Sequence, residues 1–210
     1  MLPHNSTGPL TPLTPLPGGL SLPPPVFPSA TGQSVDSVSQ SFSAAATLPQ
    51  TDAGMMLLNV NVTSRQATFK LAAAHLFVRG RTLDPGIIEA ALWEREEAGS
   101  TGFGFKFAIP HCRSSAVIAD SLLVIKPKVP IVWDSVDDQL VTVVILLAIG
   151  VNQGRKPHLK TLSVLARNLN QAEFRDRLEK EQHAGQLFAL LNRILQRVPP
   201  PDSALTFPVI

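Results

Sequence analysis

Leu140-Val-Thr-Val-Val-Ile-Leu-Leu-Ala-Ile-Gly-Val151 is the most apolar run in the chain, and its reading decides the fold class. Twelve residues are about half of the roughly 20 that a bilayer-spanning helix needs. Its β-branched content and unbroken hydrophobicity suit a strand buried on both faces, which an α/β sheet covered by helices provides. Working outward, Leu57–Val62, Ala116–Ile125 and Ile131–Trp133 are further candidate strands. Gln66–Val78 is a candidate helix with Phe69, Ala73, Leu76 and Phe77 on one face. Asp84-Pro85 opens a second helix as N-cap and first helical residue, with Ile88, Ala91, Leu92 and Arg95 on one stripe and Gly99 as its αL stop. A third starts at Pro157-His158 with Leu159, Leu162, Leu165 or Ala166, and Leu169 inward; Ala172–Lys180 and Gly185–Val198 complete the set. Strands and helices alternate irregularly, so the expected class is α/β with a mixed sheet.

Composition bounds the function. The chain has 210 residues, with 18 Lys+Arg against 16 Asp+Glu and a formal net charge of +2. That balance creates no field suited to electrostatic nucleic-acid binding. One cysteine excludes an internal disulfide framework and a multi-cysteine zinc module. No Lys or Arg precedes Arg65, and 10 of the 19 prolines lie in residues 1–57. Proline removes a backbone donor and fixes φ, so residues 1–56 read as a disordered Pro/Ser/Thr-rich tail. The domain is expected over 57–198, followed by a C-terminal tail over 199–210. The N-terminal stretch lacks the basic n-region and continuous apolar core of a secretion signal. Asn5-Ser6-Thr7 and Asn61-Val62-Thr63 are accordingly read as chance sequons.

The densest chemical candidate is Gly99–Arg113, Gly-Ser-Thr-Gly-Phe-Gly-Phe-Lys-Phe-Ala-Ile-Pro-His-Cys-Arg. An extended run over Phe105–Ile109 is expected to deliver His111 at a strand edge, after a stiffening proline. Gly102-Phe103-Gly104 lacks dinucleotide-binding spacing, and Gly150–Lys156 fails the phosphate-loop pattern. Cys112 points away from its neighbour on an extended chain, as a small buried thiol rather than a catalytic partner. Lys126 and Lys128 read as solvated surface, and His4, His75 and His183 as structural or exposed.

Arg95-Glu96, Gly99-Ser100-Thr101-Gly102, Ala108-Ile109-Pro110-His111 and His158-Leu159-Lys160-Thr161-Leu162, in that order, resemble the enzyme IIA component of the fructose/mannitol class of the bacterial sugar phosphotransferase system. The resemblance runs from about Leu57 to Val198. It implies a mixed, roughly five-stranded sheet flanked by helices on both faces. It also implies a cytoplasmic phosphotransferase that takes a phosphoryl group from the histidine phosphocarrier protein and gives it to the IIB component of a sugar permease. A membrane is involved only through that permease. No cofactor and no metal are implied, because the donor is already a phosphohistidine. By position in the motifs, His111 is the phosphoryl acceptor, His158 the phosphate stabiliser and Arg95 an orienter or phosphate clamp. Ser100, Thr101 and Gly102 are phosphate-loop candidates, with ordinary turn chemistry as the alternative. Many members carry Asn-Gly where this chain has Phe105-Lys106, and glycine at Cys112. The first departure, with the unusual tail, keeps a second reading open: a IIA-like module that regulates another protein without sugar transport.

Acceptance of phosphate requires a neutral imidazole with one free lone pair. The other ring N–H of His111 must then be held by an acceptor, for which a backbone carbonyl is expected.

Overall fold

The computed structural model describes residues 49–151 and 155–196, with the backbone alone for 155–158. The tail over 1–48 and the segment beyond 196 lie outside the described residues. Regular structure starts ahead of the boundary expected at residue 57. Gln50 bridges Ser121, a short 3-10 turn covers Ala53–Met55, and Met55 is fully buried.

Six strands and five helices follow: β1 (Met56–Val60), α1 (Arg65–Val78), α2 (Pro85–Glu97), β2 (Gly102–Gly104), β3 (Phe107–Ala108), β4 (His111–Ser114), β5 (Ser121–Pro127), β6 (Val143–Gly150), α3 (Arg155–Leu169), α4 (Ala172–Lys180) and α5 (Ala184–Gln196). The sheet order is β1-β5-β6-β3-β2, with β4 also on β6. Strand β6 pairs antiparallel with β5 and parallel with β3 and β4, so the sheet is mixed. Strands β3 and β4 share one register on β6, Phe107 facing Val143 and His111 facing Leu147. They form a single strand interrupted at Ile109-Pro110, and counted that way the sheet has five strands.

All eight residues of β6 are buried, as are the first six of β5. Successive side chains point to opposite faces, so both faces of the sheet centre are covered. The expectation from the Leu140–Val151 run is met over Val143–Gly150. Helix α1 packs on α2, and α3 on α4 and α5. Asp84 is the expected cap and accepts from Gly86 N at 2.7 Å; Ser64, not singled out above, caps α1 by accepting from Ala67 N at 3.1 Å.

Several local expectations need correction. Ala116 and Val117 are buried, but in a turn beneath the α1–α2 connection rather than in a strand; β5 begins only at Ser121. Ile131–Trp133 makes a single bridge to Val141. Phe77 and Leu159 are exposed although both fit an apolar stripe. Helix α2 closes through Ala98 in right-handed geometry, and Gly99 has φ of 154°, outside the αL well. Lys126 is buried, not solvated, because its ammonium enters the C-terminus of α4 and donates to the carbonyls of Leu178, Glu179 and Glu181 at 3.0, 2.8 and 2.7 Å.

Phe105 and Lys106 do not continue a strand. They are the two-residue turn between β2 and β3, with φ of 54° and 69°. Two consecutive left-handed residues define the turn for which Asn-Gly is the favoured pair. Here Phe105 N donates to Asp137 Oδ2 at 2.6 Å, and the Arg175 guanidinium lies 4.0 Å from the Phe105 ring centroid. Lys106 pairs with Glu179 at 3.1 Å. Left-handed geometry costs a side-chain-bearing residue about 1–2 kcal/mol, whereas a half-exposed ion pair returns less than about 1 kcal/mol. Lys106→Gly is therefore expected to stabilise the fold by about 1 kcal/mol, read as a higher urea midpoint at unchanged slope. A lower midpoint would show that the Glu179 contact outweighs the turn.

Candidate functional site

His111 stands at the first position of β4, directly after the break that Pro110 makes. Because proline has no N–H, Ile109 and Pro110 leave the regular ladder: Pro110 O accepts from Leu147 N at 3.0 Å, and Ile109 N donates to Thr101 O at 2.9 Å. That leaves Ile109 O available to the imidazole of His111, two residues on, whose Nδ1 lies 2.9 Å from it. A carbonyl only accepts, so Nδ1 carries the proton. On the other side Arg95 Nε lies 2.9 Å from His111 Nε2. The guanidinium only donates, so Nε2 is the unprotonated nitrogen. The two bonds together define the neutral Nδ1–H tautomer, and the acceptor expected from the sequence is Ile109 O.

Burial of the half-covered ring lowers its proton affinity, and the Arg95 charge lowers it further. The bond to Ile109 O and the Glu96 carboxylate oppose this, and the net direction is below the usual 6.5. The unfolded chain therefore takes up this proton first as pH falls. Stability contributed by the neutral ring is complete above 6.5 and declines as pH drops from 6.5 through the lower native value. An NMR titration is expected to place the His111 midpoint below 6.5, and Arg95→Gln, which removes the repelling charge, to raise it. A midpoint unmoved by that change would deny Arg95 its electrostatic role.

Arg95 reaches His111 because α2 presents it at the helix end, and Arg95 Nη1 is steadied by Gly99 O at 2.7 Å. Ala91, Glu94, Arg95, Ala98, His111, Cys112 and Arg113 line a cleft of about 360 Å³. A larger groove, about 700 Å³ along α4 and α5, contains none of these residues. Arg113, two positions beyond His111 on the strand and thus on the same side, adds a second guanidinium to the cleft wall and donates to Val151 O at 2.6 Å. Cys112 is buried with its thiol pushed up to about 12 by desolvation, which makes it inert as a nucleophile.

The Ser100 hydroxyl, the Thr101 N–H and the Thr101 hydroxyl all donate to the Glu96 carboxylate, the first two at 3.2 Å. Gly102 N donates to Ser100 Oγ at 3.1 Å. In this conformation the Gly99–Gly102 turn directs its donors inward. Gly102 is fixed for another reason: a Cβ there would stand 2.7 Å from Ser135 Cα. His158 falls in the first turn of α3, and its side chain lies outside the described residues. Among the described residues no three histidine, cysteine or carboxylate side chains gather as a metal site.

Glu96, Trp133 and Arg65 received no role from the sequence. Glu96 extends the buried row Ile88, Leu92, Glu96 at intervals of four on α2, and a carboxylate on such a row requires donors. They are supplied by Arg65 Nη1 at 3.3 Å and Trp133 Nε1 at 3.0 Å besides the turn. Phe69 braces Trp133 edge-on at 5.7 Å and Trp93 at 4.9 Å.

No described helix is long and apolar enough to cross a membrane. The family model for "Phosphoenolpyruvate-dependent sugar phosphotransferase system, EIIA 2" matches residues 50–194. Multiphosphoryl transfer protein 1 of Escherichia coli strain K12 is 34% identical over 136 residues, 65% of this chain; the chain spans only 16% of that relative's length. A nitrogen regulatory protein of Pseudomonas aeruginosa is 30% identical over 138 residues, covering 66% of this chain and 89% of that one. The crystal structure of nitrogen regulatory protein IIA-Ntr from Neisseria meningitidis superposes with a TM-score of 0.63 at 29% identity, covering 67% of this chain and 94% of that one. A histidine poised in one tautomer beside an arginine, on a mixed α/β sheet, thus occurs in a chain that belongs to the type 2 enzyme IIA family of the phosphoenolpyruvate-dependent sugar phosphotransferase system.

Proposed function

We propose that the chain carries a phosphoryl group on His111 Nε2, taken from the histidine phosphocarrier protein and passed to a IIB component for sugar uptake. The supporting observation is the tautomer: with the proton fixed on Nδ1 by Ile109 O, only Nε2 can attack. The Nε2 lone pair forms a bond to phosphorus while the donor's N–P bond breaks and its electron pair returns to the donor imidazole. Nδ1–H stays on Ile109 O and shares the charge that develops on the ring. Arg95 must release Nε2 before attack, and its guanidinium is then positioned for the equatorial oxygens of the transferring group. His158, by its motif and its place at the start of α3, is assigned the second donor to those oxygens. These steps take place in the cytoplasm, and membranes enter only through the permease.

A second reading has one specific support. A nitrogen regulatory protein is 30% identical to the chain, and the IIA-Ntr structure superposes with a TM-score of 0.63 at 29% identity, against 0.56 at 20% for mannitol IIA from Escherichia coli. The same phosphohistidine would then set the partner contacts of a regulator. The two readings part at the second transfer. The chain is labelled from radioactive phosphoenolpyruvate through purified enzyme I and the histidine phosphocarrier protein, then offered a IIB component. Transfer to IIB and on to sugar is expected. Stable label that no IIB component removes would favour the regulatory reading, and no label at all would overturn both.

A further inference from the structure

We propose that Glu96 is a positioning residue: it clamps the Gly99–Thr101 turn so that Arg95 is held at Nε2 of His111. The kinetic consequence rests on the phosphocarrier reading above.

The Glu96 side chain is only 3% exposed. Replacing a buried charge by apolar packing is commonly neutral or stabilising, so burial of this carboxylate is not explained by stability. Its partners suggest what it does instead. Two neighbouring residues on the end of α2 grip one short turn from two sides. Glu96 takes the donors of residues 100 and 101, and Arg95 gives a hydrogen bond to the carbonyl of Gly99. Arg95 Nη1 and Nε belong to one rigid plane. Fixing Gly99 O with Nη1 therefore also fixes the direction of Nε, and Nε is the atom on His111. The clamp is anchored behind by Trp133 Nε1 and by Arg65, which also pairs with Asp134 at 2.7 Å. The chain of contacts thus runs from the 133–134 loop through Glu96 and the turn to the guanidinium. A shift of the turn moves Arg95, although Glu96 itself touches neither ring nitrogen.

Glu96→Gln keeps the volume but turns an amide donor toward a set of donors. In the full chain its labelling rate is expected to fall by about 10- to 100-fold, the cost of slight misplacement, with the final extent of labelling unchanged. A purely structural role would produce a loss independent of Arg95, so the deciding measurement is a double-mutant cycle. In an Arg95→Ala background, Glu96→Gln is expected to slow labelling by less than about 2-fold further, the limit of additivity error. Equal losses in both backgrounds would overturn the proposal. Nitrogen NMR of the His111 ring gives a readout that needs no phosphoryl donor: the Nε2 shift is expected to change in Glu96→Gln as it does in Arg95→Ala. An unchanged shift would overturn the linkage even if labelling proceeds normally. Unlabelled wild-type chain would overturn the phosphocarrier reading while leaving the NMR result to decide the linkage. Should Glu96→Gln fail to fold, Trp133→Phe, which removes one donor and keeps an aromatic ring, is put through the same cycle. A loss from that change that Arg95→Ala does not suppress would count against the proposal.

Discussion

His111→Ala is expected to abolish acid-labile labelling altogether while leaving the fold in place. The substitution removes the nucleophile, and the described surroundings hold no replacement on the same path. Cys112 is buried, with a thiol raised to about 12. Stability should fall by no more than a few kcal/mol, because the backbone bonds at the break belong to Thr101, Ile109, Pro110 and Leu147 rather than to the ring. Among the bonds the deleted side chain gives up are one from Arg95 and one to Ile109 O. Neutral bonds are worth about 0.5–1.5 kcal/mol each in net terms, and bonds to a charged group about 1.5–3. The cleft is open enough for water to satisfy what remains. The measurement is label retained after gel separation at alkaline pH and lost in acid, with circular dichroism as the fold control. Normal labelling of the alanine variant would remove His111 from the acceptor role and with it the proposed function.

The largest stability effect is expected far from that cleft. Lys126→Met should destabilise the domain by about 3–5 kcal/mol, the range for removing one member of a buried charged network. The methionine stem fills most of the same space, so the loss is chiefly polar. Three carbonyls at the end of α4 lose the ammonium that satisfies them, and an unsatisfied buried acceptor costs about 1–3 kcal/mol. The charge also opposes the negative end of the helix dipole. Helix α4 has nine residues and no side-chain hydrogen bond at its N-cap, so this anchor has no counterpart at the other end. Urea unfolding of wild type and variant checks the figure. Lys180→Met is the control, since its pair with Asp176 is exposed at both ends and such pairs contribute under about 1 kcal/mol. Equal effects at 126 and 180 would contradict the burial argument.

Lys126 also shows where sequence reading stops. A lysine beside a proline at a strand end gives no local sign of burial. What buries it is the end of a helix more than fifty residues later in the chain. Glu96 is a similar case with a fainter trace. Its place on the Ile88–Leu92 row marks it as inward, but the donors that make it acceptable come from α1, from the following turn and from the loop carrying Trp133. Phe105-Lys106 failed for the opposite reason. Their side chains suit a strand, and only the hairpin pairing of β2 with β3 forces both into left-handed geometry.

The elements governed by short-range chemistry were legible. Continuous apolar, β-branched residues suit a strand covered on both faces, and all eight residues of Val143–Gly150 are buried in one. Asp84-Pro85 specifies a helix start, because capping acts over three residues. Motif order alone identified the family and singled out His111 and Arg95. Tertiary structure decided what those residues can do: which ring nitrogen holds the proton, which atom of Arg95 faces it, and which buried carboxylate steadies the turn between them. Such properties depend on atoms brought within 3.3 Å of one another by the fold, and linear spacing carries no information about that distance.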